Sequence, residues 1–325
     1  MIATRRSILI AAAGAALVPP ARAAVQPTVR VGTLRFGSVA WELDVVRAHG
    51  FDAAAGIAIE AIDFAAAQAT QVALQAGRVD LIVLDWLWVA RQRASGADWT
   101  CSPTSAAVGA IVAPESSPVR ELGDLPGKRL GIAGSSLDKS WLILRAYARQ
   151  RLGFDLDDRV DKSFGPPPLL AQQLAAGRLD AALTYWPYVA KAEAAGMRRV
   201  LGMEDAVVSL GITPGVPFVG AVFSEGWAGR NRVGLDGFLS ATRLARDVLA
   251  VSDDEWRRIA PLTAAADGAE LDRLKVWYRR GLVPRWGETE RRGAARLFEV
   301  LAGIGGEALV GPAVTLPPGT FWPAS

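Results

Sequence analysis

The sequence predicts an α/β protein of two similar lobes with a ligand cleft between them, and three observations carry that prediction. The phrase Ala76-Gly77-Arg78-Val79-Asp80 returns one hundred residues later as Ala176-Gly177-Arg178-Leu179-Asp180. Each copy ends an amphipathic helix at a glycine and leads through a short apolar strand, to Asp85-Trp86 in the first case and Tyr185-Trp186 in the second. Strand-like and helix-like segments alternate through both halves, the pattern of sheets built from strand–helix–strand crossovers. At 325 residues, 51% hydrophobic and 21% charged, the chain is an ordered one and long enough for two cores.

The elements follow in order. Val29 to Thr33 reads as a strand, and a Gly37-Ser38 loop opens a helix from about Trp41 to His49. Ile57 to Ile62 is a second strand and Ala66 to Ala76 an Ala/Gln-rich helix. Leu81 to Leu84 is a continuous apolar run, as buried parallel strands tend to be. A strand at Val108 to Val112 ends at Pro114, and a polar link runs from Pro118 to Pro126. The order then repeats: strand Arg129 to Ile132, loop Gly134-Ser135-Ser136, helix Asp138 to Leu152, strand Val160 to Phe164, helix Leu169 to Ala176 and strand Ala181 to Leu183. Pro217 to Phe223 is a further strand returning to the first lobe. Beyond Leu235 the pattern is helical, most clearly at Phe238 to Leu249 and Leu271 to Tyr278. The alternation leads us to expect parallel sheets.

The net charge of +3 does not indicate a nucleic-acid partner. Arg5, Arg6 and Arg22 lie in the first 23 residues, which contain no acid; removing these three from the 36 basic residues leaves them equal to the 33 acidic ones. That segment has the form of an export signal at 1–23: a charged start at Arg5-Arg6, an apolar run from Ile8 to Val18, and small residues at Ala21 and Ala23. The adjacent arginines suggest the twin-arginine type, with an ordinary secretory signal left open. The single cysteine, Cys101, has no disulfide partner and lies far from the cleavage region. We therefore expect a periplasmic, soluble protein without a lipid anchor.

Asp124-Leu125-Pro126-Gly127-Lys128-Arg129-Leu130-Gly131-Ile132, the Gly134-Ser135-Ser136 loop, and Ala176 to Ala181 leading to Tyr185-Trp186-Pro187-Tyr188 resemble the substrate-binding proteins of ABC importers for sulfonates, taurine, nitrate and thiamine-pyrimidine precursors. The likeness covers about residues 28 to 225. It implies the type II periplasmic binding protein fold: two Rossmann-like lobes joined by two crossovers, closing on a solute that passes to a membrane permease. We expect the chain to act as a monomer. Two departures stand out. Trp186 occupies the place where members of this group commonly carry an acid, and Leu137-Asp138-Lys139-Ser140-Trp141 also differs from them.

In open α/β sheets ligands sit beyond the carboxyl ends of the strands, near helix N-termini. That rule selects the loops at Leu34 to Trp41, Asp85 to Trp88, Gly134 to Trp141 and Tyr185 to Tyr188. The candidate ligand-binding residues are Ser38, Trp41, Asp85, Trp86, Ser135, Ser136, Lys139, Trp141, Tyr185 and Trp186. Ser135 and Ser136 precede a helix whose free N–H groups favour an anion, with Lys139 adding charge; alternatively one of them only caps that helix. The indoles offer flat walls for a ring or a cation, while Trp88 and Tyr188 lean toward the core. Asp85 suits an amine, or else pairs with Arg91 or Arg93. Glu42 is a weaker candidate of the same kind.

Catalysis finds little support. One histidine (His49) and one cysteine make neither a nucleophilic device nor a zinc site, and no phosphate-binding glycine pattern is present. No cofactor, metal or catalytic residue is expected. The predicted lobes comprise 28–113 plus 220–325 and 119–215, with crossovers near Ala113 to Arg120 and Thr213 to Gly220. The expected role is capture of a small organic solute, an anionic head with a ring or amine, for an ABC permease. A periplasmic sensor or carrier serving another partner is the alternative, and a pyrimidine-synthesis-type enzyme on the same scaffold is a more remote one.

Overall fold

The computed structural model describes residues 26–35, 37–283 and 286–323, without the side chains of 308 and 309. The export-signal segment lies outside the described residues. None of the described helices is long and apolar enough to cross a membrane.

The first half contains β1 (Thr28–Leu34), α1 (Val39–His49), α2 (Phe51–Ala54), β2 (Ala58–Phe64), α3 (Ala67–Gln75), β3 (Leu81–Asp85), α4 (Trp86–Ala94) and β4 (Trp99–Ser105). The second contains β5 (Ala110–Ala113), β6 (Arg129–Ala133), α5 (Lys139–Leu152), β7 (Asp161–Gly165), α6 (Pro167–Ala175), β8 (Ala181–Thr184), α7 (Trp186–Ala194), β9 (Arg198–Gly202) and α8 (Met203–Ser209). The chain returns through β10 (Val219–Ser224) and finishes in helices: α9 (Glu225–Arg230), α10 (Arg232–Val251), α11 (Asp253–Thr263), α12 (Gly268–Arg280), α13 (Glu288–Gly305) and α14 (Glu307–Val310).

Two five-stranded sheets result, ordered β2-β1-β3-β10-β4 and β7-β6-β8-β5-β9. The orders match position for position. Each sheet is mixed rather than parallel, a correction to the sequence expectation. β10 runs antiparallel to β3 and β4, and β5 runs antiparallel to β8 and β9. The reversed strand is in each case the one that arrives from the other lobe, so no crossover helix turns it round.

β5 also corrects a boundary. The sequence assigned 110–113 to the first lobe, yet β5 pairs with β8 of the second sheet. The crossing therefore falls at 106–109. Gly109 permits it: a Cβ there would stand 1.8 Å from the Thr184 carbonyl oxygen, so only glycine allows this approach. The return crossing runs through 210–218.

The repeated phrase does structural work. Asp80, just before β3, accepts hydrogen bonds from the Arg30 backbone N–H (2.8 Å), Nε (3.1 Å) and Nη2 (2.6 Å) on β1. Asp180 does the same for Arg129 on β6, at 2.8, 3.1 and 2.7 Å. In both lobes a carboxylate thus fixes the strand register beside it by bidentate, charge-assisted bonds.

The C-terminal helices do not all belong to the first lobe, as the sequence had suggested. α10 and α11 pack on α1, with Arg258 to Asp44 at 2.6 Å and His49 to Glu255 at 3.4 Å. α12 packs on α7 of the second lobe, held by Lys191 to Glu270 at 2.6 Å and by the Trp277 indole donating to Glu193 at 2.9 Å. α13 packs on α5, and α14 returns to α4. The physical reason is the partners on offer: α12 carries Glu270 and Trp277 on a face that matches Lys191 and Glu193. The final segment then lies along β4, with the Cys101 N–H donating to the Thr320 carbonyl (2.9 Å) and the Trp322 N–H to the Cys101 carbonyl (2.8 Å).

Candidate functional site

A cavity of ≈ 380 Å³ opens between the carboxyl ends of the two sheets. Its wall takes Thr33 and Leu34 from the end of β1, Asp85 from the end of β3, and the Gly134 and Tyr185 loops from the other lobe. The crossovers contribute Ala107 to Gly109 and Val219. This is the topological position at which open α/β sheets hold ligands.

The charged part of the wall begins with two helix caps. Asp85 is the N-cap of α4, its Oδ1 accepting the Trp88 N–H at 2.9 Å. Asp138 is the N-cap of α5, its Oδ1 accepting the Ser140 N–H at 2.9 Å. The other oxygen of Asp138 accepts the Tyr185 hydroxyl at 3.0 Å. Gly134, at φ 90°, makes that contact possible; a Cβ there would stand 2.7 Å from the Tyr185 oxygen and 2.9 Å from Asp138 Oδ2. Burial pushes the Asp138 carboxyl up, with Lys139 opposing the effect and Asp85 adding to it. Burial raises the Tyr185 phenol well above its usual range, and the neighbouring Asp138 charge raises it further, so it is a neutral donor.

Two cations face these acids. Lys139 is buried, with its ammonium 5.2 Å from the centre of the Tyr185 ring. It makes no hydrogen bond to a described residue. Arg91, on α4, lines the same cavity. Burial lowers its pKa while the Asp85 and Asp138 carboxylates work the other way, and a guanidinium in that balance stays protonated. Aromatic surface is supplied by Trp88, Tyr185, Trp186 and Tyr188, and amides by Gln68 and Gln71.

Of the ten candidates, the structure brings six to this wall: Ser38, Asp85, Ser135, Lys139, Tyr185 and Trp186. The other four lie elsewhere. Trp41 is buried on α1, donating to the Leu262 carbonyl at 3.2 Å and meeting Trp186 and Trp256 edge-on. Trp86 is buried with its indole donating to the Pro217 carbonyl at 2.7 Å and its ring 5.5 Å from Phe321. Trp141 is fully buried against Phe164. Ser136 is exposed and off the wall. Ser135 does not cap α5; its hydroxyl accepts the Leu137 N–H at 3.3 Å in a local turn.

The anion reading of α5 changes accordingly, because Asp138 already places a carboxylate at that helix N-terminus. The residues the sequence reading did not select are Asp138, Arg91, Trp88, Tyr188, Gln68 and Gln71. An aspartate directly before an apolar helix signals a cap, and Gln68 and Gln71 share a helix face at a spacing of three. Those signals were available. Arg93, one alternative partner for Asp85, instead pairs with Glu225 at 3.1 Å. No group of three or more histidine, cysteine or acidic residues that could hold a metal occurs among the described residues. Burial pushes the Cys101 thiol far up, so it is no nucleophile at neutral pH.

No protein-family model matches the sequence, and no curated protein matches it. Solved structures do. The alkanesulfonate-binding protein SsuA from Xanthomonas axonopodis pv. citri, bound to MOPS, superposes with a TM-score of 0.70 at 20% identity, covering 93% of this chain and 100% of that one. The periplasmic aliphatic sulphonate binding protein SsuA from Escherichia coli gives 0.69 at 18% identity, covering 91% and 97%. The periplasmic nitrate-binding protein NrtA from Synechocystis PCC 6803 gives 0.58 at 12% identity, covering 74% and 66%. The chain therefore has the two-lobed fold of these binding proteins.

Proposed function

We propose that this chain captures a small organic solute in the interlobe cavity and hands it to the permease of an ABC importer, after export to the periplasm. The observation that carries this is the wall itself. Arg91 and Asp85 from one lobe face Lys139, Asp138 and Tyr185 from the other across ≈ 380 Å³. A molecule between them touches both lobes, which is what couples binding to a change in their relative position. The fold shared with sulfonate- and nitrate-binding proteins supports the same assignment.

The charges narrow the solute. Two acids and two bases leave the wall without net charge, so a lone inorganic anion meets as much repulsion as attraction. An anionic head that also carries an amine or a ring satisfies both halves: the head at Lys139 and Arg91, the amine at Asp85 and Asp138, the ring against the Trp186 and Tyr188 faces. The test is tryptophan fluorescence, backed by calorimetry, with sulfonates, aminosulfonates and aminopyrimidines. Saturable binding with a preference for the amino-bearing member of each pair is expected. Folded protein that responds to none of them overturns the assignment. Affinity capture of membrane partners tests delivery: a permease supports transport, and a sensor-kinase ectodomain redirects the function to signalling.

A further inference from the structure

Beside the cavity lies a second space of ≈ 60 Å³, a chamber that shares part of its lining. The two spaces share a partition made of Ser38, Val39, Val83, Ala107, Trp186 and Val219. The indole is the largest part of that partition, held edge-on by Trp41 at 5.9 Å and tilted against Tyr278 at 6.1 Å. The indole N–H groups of Trp41, Trp86, Trp256 and Trp277 all bond to the protein. That of Trp186, like the buried ones of Trp141 and Trp286, makes no hydrogen bond to a described residue.

The lining of the chamber is mostly apolar, with Val39, Val83, Phe238 and Leu282 among its residues, but it holds one polar cluster. Glu42 Oε1 accepts the Tyr278 hydroxyl at 2.9 Å and Oε2 accepts Arg246 Nη1 at 3.1 Å. The Glu42 and Arg246 side chains are 14% and 16% exposed. Each carboxylate oxygen retains acceptor capacity beyond its one bond, and Arg246 makes no other hydrogen bond among the described residues. Buried polar groups seek partners, so this cluster suits a hydrogen-bonding terminal group, while the apolar lining suits the hydrocarbon that carries it. Because Glu42 and Arg246 neutralise each other, a charged occupant gains from one what it loses to the other and also bears its own desolvation. A neutral donor–acceptor group bears neither cost.

We infer that the solute site is bipartite: the charged head lies in the main cavity, and an uncharged, hydroxyl-bearing tail passes the Trp186 indole into the chamber of Glu42, Tyr278 and Arg246. Trp186 and the Glu42–Arg246 pair then set the length and the terminal group of the solute. This rests on the proposed capture of organic anions, and the experiment separates the two. Calorimetry with the full chain uses ethane-, butane- and hexanesulfonate, each compared with the same chain ending in a hydroxyl. The hydroxyl should gain about tenfold in affinity on the longer chains and less than about twofold on ethane, which is too short to pass the partition. Longer chains ending in a carboxylate should bind about tenfold more weakly than the hydroxyl forms in the native protein. In Glu42→Gln, where Arg246 is left unopposed, that order should reverse. A purely structural role for Glu42 instead lowers affinity for every probe alike, which overturns the inference. Equal affinities within each pair also overturn it, while leaving capture of organic anions standing. Absence of binding by any of these probes to folded protein overturns the inference, and the capture itself falls only if the aminosulfonates and aminopyrimidines fail as well.

Discussion

The two lobes repeat their framework and diverge at their mouths. Asp80 and Asp180 clamp Arg30 and Arg129 with the same three bonds to within a tenth of an ångström. Four of the helices that open onto the cavity share no such regularity. In the first lobe α4 is capped by Asp85, while α1 begins at Ser38 with no side-chain cap. In the second lobe it is the α1 counterpart, α5, that has the acidic cap, Asp138, and the α4 counterpart, α7, that begins uncapped at Tyr185. The acids therefore sit diagonally across the cleft. Register needs the same solution in both lobes, whereas the proposed solute, with two different ends, needs different walls.

The strongest way to break the framework is at its reversed strands. Gly109 in the second lobe and Gly220 in the first both lie against a neighbouring carbonyl, where a Cβ would come within 1.8 Å of Thr184 O and 2.2 Å of Ser102 O. Alanine at either should cost about 3 kcal/mol or more, since backbone must move to admit it. Thermal and denaturant unfolding should show similar losses for both; a loss in one alone denies the equivalence of the crossings.

The clamps come next. The Asp80 side chain is 8% exposed and that of Asp180 is 20%. Asp80→Ala should cost about 2 kcal/mol, the scale of hydrogen bonds to a charged group, reduced somewhat because Arg30 is partly in solvent. Asp180→Ala should lose less. The reverse order in unfolding experiments contradicts the burial argument.

Two carboxylates should titrate in opposite senses. Burial raises Asp138, so the folded state holds a proton that the unfolded chain has released; its contribution to stability is greatest at low pH and declines as pH rises from the unfolded value through the raised one. Burial also opposes ionisation of Asp155, but hydrogen bonds from Arg145, the Asp157 N–H and Arg149 outweigh it and hold that carboxyl well below its usual range. Its contribution is present above the unfolded pKa and lost as pH falls through the folded one. Asp138→Asn keeps an acceptor for the Ser140 N–H, so it should raise the melting temperature at neutral pH. That gain should shrink toward about pH 4. A gain independent of pH contradicts the account.

The smallest effect is expected at the uncapped end of the diagonal. Ser38→Ala removes no side-chain cap and should change stability by less than about 0.5 kcal/mol. It should weaken ligand affinity more than stability, because Ser38 lies on the cavity wall. A stability loss of cap size, about 1 kcal/mol, puts Ser38 back among structural residues.

Much of this was legible in sequence. The duplicated phrase placed the equivalent strands, and the strand-end rule put Ser38, Asp85, Ser135, Lys139, Tyr185 and Trp186 on one wall. What escaped depends on distant chain. β4 was missed because Trp99-Thr-Cys-Ser-Pro-Thr-Ser has only a short, weakly apolar alternation and contains Pro103, which pairs at an irregular register. Trp86 and Trp186 hold the same place in the repeat, yet one is sealed by Pro217 and Phe321 while the other faces the cavity. Nothing near either residue encodes that difference; segments 131 and 235 residues away from Trp86 do.

The route of the C-terminal helices has a mechanical consequence. Gly281, at the end of α12, accepts the Ala106 N–H at 2.8 Å, and Ser105 and Leu282 form an isolated antiparallel bridge. A third length of chain thus pairs with the start of the first crossover, where the halves join. Under the proposed capture of a solute, this added connection would resist twisting of one half against the other. Solutes of different shape would then be accommodated by the side chains around them, with the swing of the halves set by the peptide framework.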